Sequence, residues 1–160
     1  MTPIAVRPAA EPDVPGIHRL VAMYAARQIL LDRSEADIRF YLKNFSVAVE
    51  GNDVVGCLAV RPFGTGLYEV RSLAVDPDRQ GTGIGRAMVE WKIARMREEM
   101  PGFRLFALTL SPEFFHRLGF VDTGMEQFPE KFWSDCRNCP KKDRCDEVAV
   151  LYAGDNGSGA

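Results

Sequence analysis

Apolar positions recur along this chain with two different periods, and the switches between them mark the elements. Val14, Ile17, Leu20, Val21 and Tyr24 fall at three- and four-residue spacing behind Asp13, which predicts a helix capped by that aspartate. Ser34-Glu35-Ala36-Asp37 has the form of a capping box and opens a second helix, with Ile38, Tyr41 and Leu42 on one face. Phe45–Val49 and Val54–Val60 predict strands joined by a turn at Gly51-Asn52-Asp53. Met1–Arg7 alternates weakly and predicts a short strand before them. Tyr68–Val75 is a further strand, ended by Asp76-Pro77. A glycine-rich turn then leads into a helix from about Ile84 to Glu99, stopped by Pro101-Gly102. Beyond it come a strand over Arg104–Leu110, a short helix over Pro112–Leu118, a turn at Gly119-Phe120, a strand over Val121–Met125 and a closing strand over Val148–Tyr152. Helices, an antiparallel meander and then strand–helix–strand predict an α+β fold, three layers with a mixed, mostly antiparallel sheet flanked by helices.

No repeat or internal linker interrupts the pattern, so one domain over residues 1–153 is expected, with a small polar tail over 154–160. Twenty basic residues oppose 22 acidic ones, which leaves no electrostatic footprint for nucleic acid or an anionic membrane. No apolar run approaches the roughly 20 residues of a membrane span. The start, MTPIAVRPAAEPDVPG, lacks the basic and apolar stretches of a secretory signal, so a cytoplasmic protein with reduced thiols is expected. Nothing in the sequence fixes the oligomeric state, and a homodimer is compatible with it.

The turn Gln80-Gly81-Thr82-Gly83-Ile84-Gly85-Arg86 lies between a strand and a helix. Such a turn is an anion site: backbone N–H groups point outward, the helix dipole adds positive potential, and glycine lets a diphosphate come close. The nucleotide P-loop would end in Gly-Lys-Ser/Thr, which is absent, and the dinucleotide fingerprint would have glycine where Arg86 stands. Taken alone, the glycines also fit an ordinary helix-capping turn.

Read as Q/R-x-x-G-x-G/A, the loop resembles the coenzyme A pyrophosphate loop of the GNAT superfamily of N-acetyltransferases. The strand end Leu73-Ala74-Val75-Asp76-Pro77 before it and Phe115-His116-Arg117-Leu118-Gly119-Phe120 after it resemble that family's flanking segments in the same order. The resemblance implies that Leu73, Ala74, Val75, Gln80–Arg86 and Phe115 contact acetyl-CoA. Further segments resemble the N-acetylglutamate synthases: Gln28–Ser34 looks like their G-I-L-x-R-R-S stretch, Glu69–Val75 like E-[MI]-x-x-L-A-V, and Leu108–Phe115 like T-x-S-x-x-W-F. The ending from Phe132 through Cys136, Cys139 and Cys145 to Glu147 looks like the stand-alone short form of that enzyme. These likenesses imply acetylation of an amino acid, L-glutamate first, in arginine biosynthesis. Acetylation of another amino acid or a peptide amine, or non-catalytic sensing of acetyl-CoA or metal, are the alternatives.

The acceptor amine is an ammonium at neutral pH and must lose a proton before it attacks the thioester; a carboxylate can take it. Glu69 stands eleven positions before Gln80, the spacing of the glutamate base in the histone-acetylating relatives, and is the candidate; otherwise it is a solvated surface residue. The resemblance implies that a backbone N–H of Leu73 or Val75 meets the oxyanion. Phe115 stands where most relatives carry a tyrosine acid, as it does in the glutamate-acetylating ones. Ser111 falls on a serine of those enzymes; it could place or donate a proton, or simply cap the helix before Pro112. Arginine pairs with carboxylates through two bonds at once, so Arg33 and Arg71 are the candidates for binding glutamate, with Arg71 alternatively an ion-pair partner of Glu69. Cys136, Cys139 and Cys145 could hold zinc with a fourth ligand from Asp135, Asp146, His116 or Cys57, or form a reduced, packed hairpin or a redox-sensitive pair. Cys57, in an apolar strand, is expected in the core.

Overall fold

In the computed structural model, which describes residues 3–134 and 147–154, seven strands form one mixed, mostly antiparallel sheet in the order β1-β2-β3-β4-β5-β7-β6. The strands are β1 (Ile4–Pro8), β2 (Phe45–Glu50), β3 (Asp53–Pro62), β4 (Leu67–Val75), β5 (Arg104–Thr109), β6 (Phe120–Thr123) and β7 (Val148–Tyr152). The helices are α1 (Val14–Ala25), α2 (Glu35–Phe40), α3 (Ile84–Glu99), α4 (Pro112–His116) and α5 (Pro129–Ser134). Contacts gather into two units: the residues up to Arg61 together with Val70–Pro101, and Pro62–Glu69 together with the residues from Gly102 onward. β4 runs from one unit into the other, with Leu67–Glu69 in the second and Val70–Val75 in the first.

The first unit is three layers. β2 is buried from Phe45 to Val49, as a strand covered on both faces must be. Phe45, Val47 and Val49 pack with Val14, Ile17, Leu20, Val21 and Tyr24 of α1 and Ile38 of α2. On the other face, α3 comes so close that a Cβ on Gly56 of β3 would lie 2.9 Å from the Met88 sulfur, so a larger residue there would have to displace that side chain. The β2–β3 hairpin turns at Gly51, whose φ is 64°, and holds Val47 opposite Cys57.

Ser34 caps α2 as the sequence predicts, accepting from the Asp37 N–H at 3.0 Å. Asp13 does not cap α1. Its carboxylate is taken by Arg7 at 2.8 and 3.0 Å and by the Ala10 N–H at 2.7 Å, tying β1 to the helix start. Burial pushes that carboxyl up, but these bonds outweigh it and hold it below its ordinary value.

In the second unit the last strand, β7, pairs antiparallel with both β5 and β6 and so lies between them. Leu67, Phe106, Phe128 and Ala149 form its core. The Phe106 and Phe128 rings stack with centroids 4.1 Å apart. Helix α5 has no counterpart in the expectations from sequence, although Pro129 followed by Glu130 is an ordinary helix start. Among the described residues no helix is long and apolar enough to cross a membrane.

Candidate functional site

At the end of β4 the chain makes a 3-10 turn over Pro77–Arg79, held by Asp76 accepting from the Asp78 N–H at 2.9 Å. The glycine loop follows. Gly81 and Gly83 have φ of 83° and 86°, in the left-handed region that side chains disfavour. A Cβ at either would meet no atom within 4 Å, so nothing inside the protein requires their smallness and both face open space. No side chain caps α3 at Gly83, and its first internal bond is Ala87 N–H to Gly83 C=O at 3.0 Å. The N–H groups of Ile84, Gly85 and Arg86 therefore lie in the first helical turn, where no intrahelical acceptor exists. An uncapped, glycine-led N-terminus of a 16-residue helix facing open space fits a diphosphate.

Gln80 does not turn its side chain to that space. Its amide donates to the Tyr24 hydroxyl, which in turn donates to the Val75 carbonyl at 2.5 Å. The relay ties the loop, α1 and the end of β4 together. Burial pushes the Tyr24 phenol up, more than its bond from Gln80 lowers it, so the hydroxyl stays a donor. The Arg86 side chain pairs with Glu90 at 3.0 Å, one turn along the exposed face of α3.

β4 is irregular just before this point. Ser72 has a φ of 53°, rare for a non-glycine residue and costly inside a strand. The Cys57 thiol, fully buried in β3, donates to the Ser72 carbonyl at 3.4 Å, and the Ala74 N–H faces its sulfur. Burial pushes this thiol up to about 12. Cys57 is thus in the core, as expected, and also serves the backbone of the irregular strand. The Ala74 N–H turns toward β3, and so does the Asp76 N–H, which donates to Val55 at 2.8 Å. In a regular strand successive N–H groups point to opposite edges, which would turn those of Leu73 and Val75 away from β3.

Glu69 is not a surface glutamate. Its side chain is 5% exposed, and Oε1 accepts from Lys131 Nζ at 3.0 Å, with Lys131 itself 8% exposed. Both belong to the second unit. Sequence reasoning considered Arg71 as an ion-pair partner and missed Lys131; the signal was the helix start at Pro129, which places Lys131 in the first turn. Arg71 is half-buried in β4. Arg33 is half-buried just ahead of α2, its N–H donating to Asp32 Oδ1 at 3.0 Å. Ser111 is exposed at the start of α4; its hydroxyl makes no cap bond, while its N–H donates to Thr109 Oγ1 at 2.8 Å. Phe115 is buried, edge-on to Phe114 and Phe120 with centroids 5.1 and 5.0 Å apart, and serves the core of its unit. His116 pairs with Asp122 at 2.6 Å on the surface.

No group of three metal-ligating side chains occurs among the described residues. Cys136, Cys139 and Cys145 lie outside them.

Residues 39–122 match the family described as acetyltransferase (GNAT) domain. An uncharacterised N-acetyltransferase of Chlorobaculum tepidum is 40% identical over 91% of this chain and 94% of its own length. An amino-acid acetyltransferase of Mycobacterium tuberculosis is 36% identical over 83% of this chain and 78% of its own. The amino-acid acetyltransferase of Ralstonia nicotianae is longer, and the chain covers 28% of it. Among solved structures, the N-acetylglutamate synthase of Neisseria gonorrhoeae complexed with coenzyme A and N-acetyl-glutamate superposes with a TM-score of 0.82 at 27% identity, over 94% of this chain and 35% of that one. A Mycobacterium tuberculosis protein in complex with CoA superposes with a TM-score of 0.78 at 32% identity, over 92% and 97%.

Proposed function

Because the chain belongs to the GNAT acetyltransferases, and within them to the acetyl-CoA-dependent amino-acid N-acetyltransferases, we propose that its acceptor is the α-amine of L-glutamate. The observation that carries this reading is the likeness, over 94% of this chain, to a synthase bound to coenzyme A and N-acetyl-glutamate. On this reading the enzyme opens arginine biosynthesis in the cytoplasm.

The loop N–H groups hold the diphosphate of acetyl-CoA, and β4 carries the groups for the chemistry. Glu69 takes one proton from the glutamate ammonium. The freed lone pair attacks the thioester carbonyl carbon, and a C–N bond forms. The carbonyl oxygen becomes an oxyanion, met by the N–H of Leu73 or Val75. The C–S bond then breaks, coenzyme A leaves as thiolate, and the nitrogen gives its second proton to water. A thiolate leaves tolerably near neutral pH, so the buried phenylalanine at 115 needs no acidic substitute. Ser111, exposed on its loop, can place a water for the departing sulfur. Arg33 and Arg71 bind the glutamate carboxylates.

A panel of free amino acids with acetyl-CoA, read by thiol release, tests the assignment. Glutamate should give the highest kcat/KM. A much higher value with an uncharged amino acid would retire glutamate and leave the acetyltransferase standing.

A further inference from the structure

The Glu69–Lys131 pair is held in place from both sides. Phe128 anchors the start of α5 through its stack on Phe106. Glu130, next to Lys131, accepts from Thr65 at 2.5 Å and from Arg104 at 3.1 Å, which fastens the helix to the β3–β4 turn and to the start of β5. Lys131 lies between these fixed points, its N–H bonded to the Phe128 carbonyl at 3.0 Å, and its side chain reaches Glu69 Oε1 at 3.0 Å. All of these contacts lie within the second unit.

A carboxylate out of water without a counter-charge is so unfavourable that it takes up a proton instead. A neutral carboxylic acid cannot remove a proton from an ammonium. A buried glutamate therefore works as a base only if something inside the protein holds its charge and its orientation. The geometry points to Lys131 as the positioning residue for Glu69: it binds the carboxylate at Oε1 and fixes the orientation in which Glu69 meets the acceptor's proton. This inference rests on the reading of Glu69 as the base. It gives α5 a part in the acetyl transfer.

Four variants of the full chain decide it: Lys131→Met, Lys131→Arg, Glu69→Gln and the double variant Glu69→Gln with Lys131→Met. Each is measured for kcat, for both KM values and for melting temperature. Lys131→Met should lower kcat by about tenfold or more and leave the KM of acetyl-CoA unchanged. Lys131→Arg keeps the charge and the donor and should recover much of the loss. On the Glu69→Gln background, Lys131→Met should cost nothing further, because no carboxylate is left to hold. The double variant buries no unpaired charge, so it and Lys131→Arg remain informative if Lys131→Met fails to fold. Wild-type kcat in Lys131→Met with a lower melting temperature, or an equal loss with and without Glu69, overturns the role of Lys131 alone. Wild-type kcat in Glu69→Gln overturns the base reading, and this inference with it.

Discussion

The loop Gln80–Gly85 and the Glu69–Lys131 pair are built from different parts of the chain. The loop offers backbone N–H groups, and its requirements are local: two left-handed glycines, open space outside them and an uncapped helix behind. The pair offers side chains 62 residues apart in sequence, joined only because a strand and a short helix pack in one unit. A site built from backbone tolerates changes in surrounding side chains but not a change of φ. A site built from a buried ion pair tolerates backbone adjustment but not the loss of one charge, because the other then loses its opposite charge in the interior.

The largest expected effect breaks the second of these. Glu69→Gln keeps size and most hydrogen bonding and removes basicity, which typically costs about 10²–10⁴ in kcat. Acetyl-CoA binding, measured by calorimetry, should barely change. The loss should shrink at high pH, where more acceptor amine is already free. A KM effect alone would mean that Glu69 binds the acceptor ammonium rather than taking its proton.

Gly83→Val breaks the first. Valine at a φ of 86° is strained, and its branches would fill the space a diphosphate needs. Acetyl-CoA affinity should fall on the order of a hundredfold, the scale of losing a charge-assisted contact. Acetyl-CoA should also cease to raise the melting temperature, as it should in the wild type by mass action. Undiminished binding would move the diphosphate off this loop.

Arg33→Ala sharpens the comparison, because it should touch neither site. The glutamate KM should rise by about ten- to a hundredfold, with the KM of acetyl-CoA and the melting temperature unchanged. An unchanged glutamate KM would leave Arg71 to bind the carboxylates.

What was legible in the sequence follows the same division. The loop is a short contiguous pattern between a strand and a helix, and both neighbours announce themselves by period. α3 runs over Ile84–Glu99 and β7 over Val148–Tyr152, as the pattern predicts. The partner of Glu69 was not legible, because a buried ion pair leaves no periodic trace and six residues of α5 are too few to show one. The position of β7 between β5 and β6 was equally hidden, since hydrogen-bonding neighbours in a sheet need not be neighbours in sequence. Asp13 shows a third kind of limit. Its place before an apolar helix is that of a cap, and Arg7 outbids the helix for its carboxylate.

The smallest expected effect concerns Cys57, where the two kinds of site meet: a buried side chain that serves backbone groups. The left-handed Ser72 interrupts regular strand geometry, and the thiol supplies a donor to its carbonyl and an acceptor to the Ala74 N–H. Cys57→Val is somewhat larger than the thiol and removes both partners. Leaving buried backbone groups unsatisfied costs about 1–3 kcal/mol. For a chain of this size each kcal/mol lowers the melting temperature by roughly 2–4 °C. Cys57→Ser keeps a donor and an acceptor and should lose less. If the thiol also keeps the Leu73 and Val75 N–H groups aimed away from β3, Cys57→Val should lower kcat a few-fold at constant KM of acetyl-CoA, with Cys57→Ser between it and the wild type. A thiol held up near 12 and fully buried should resist alkylation in the native protein, which peptide mass spectrometry after a brief pulse reads directly. Rapid alkylation of Cys57 without unfolding would mean that β3 opens here, and its thiol could not then be what fixes the strand.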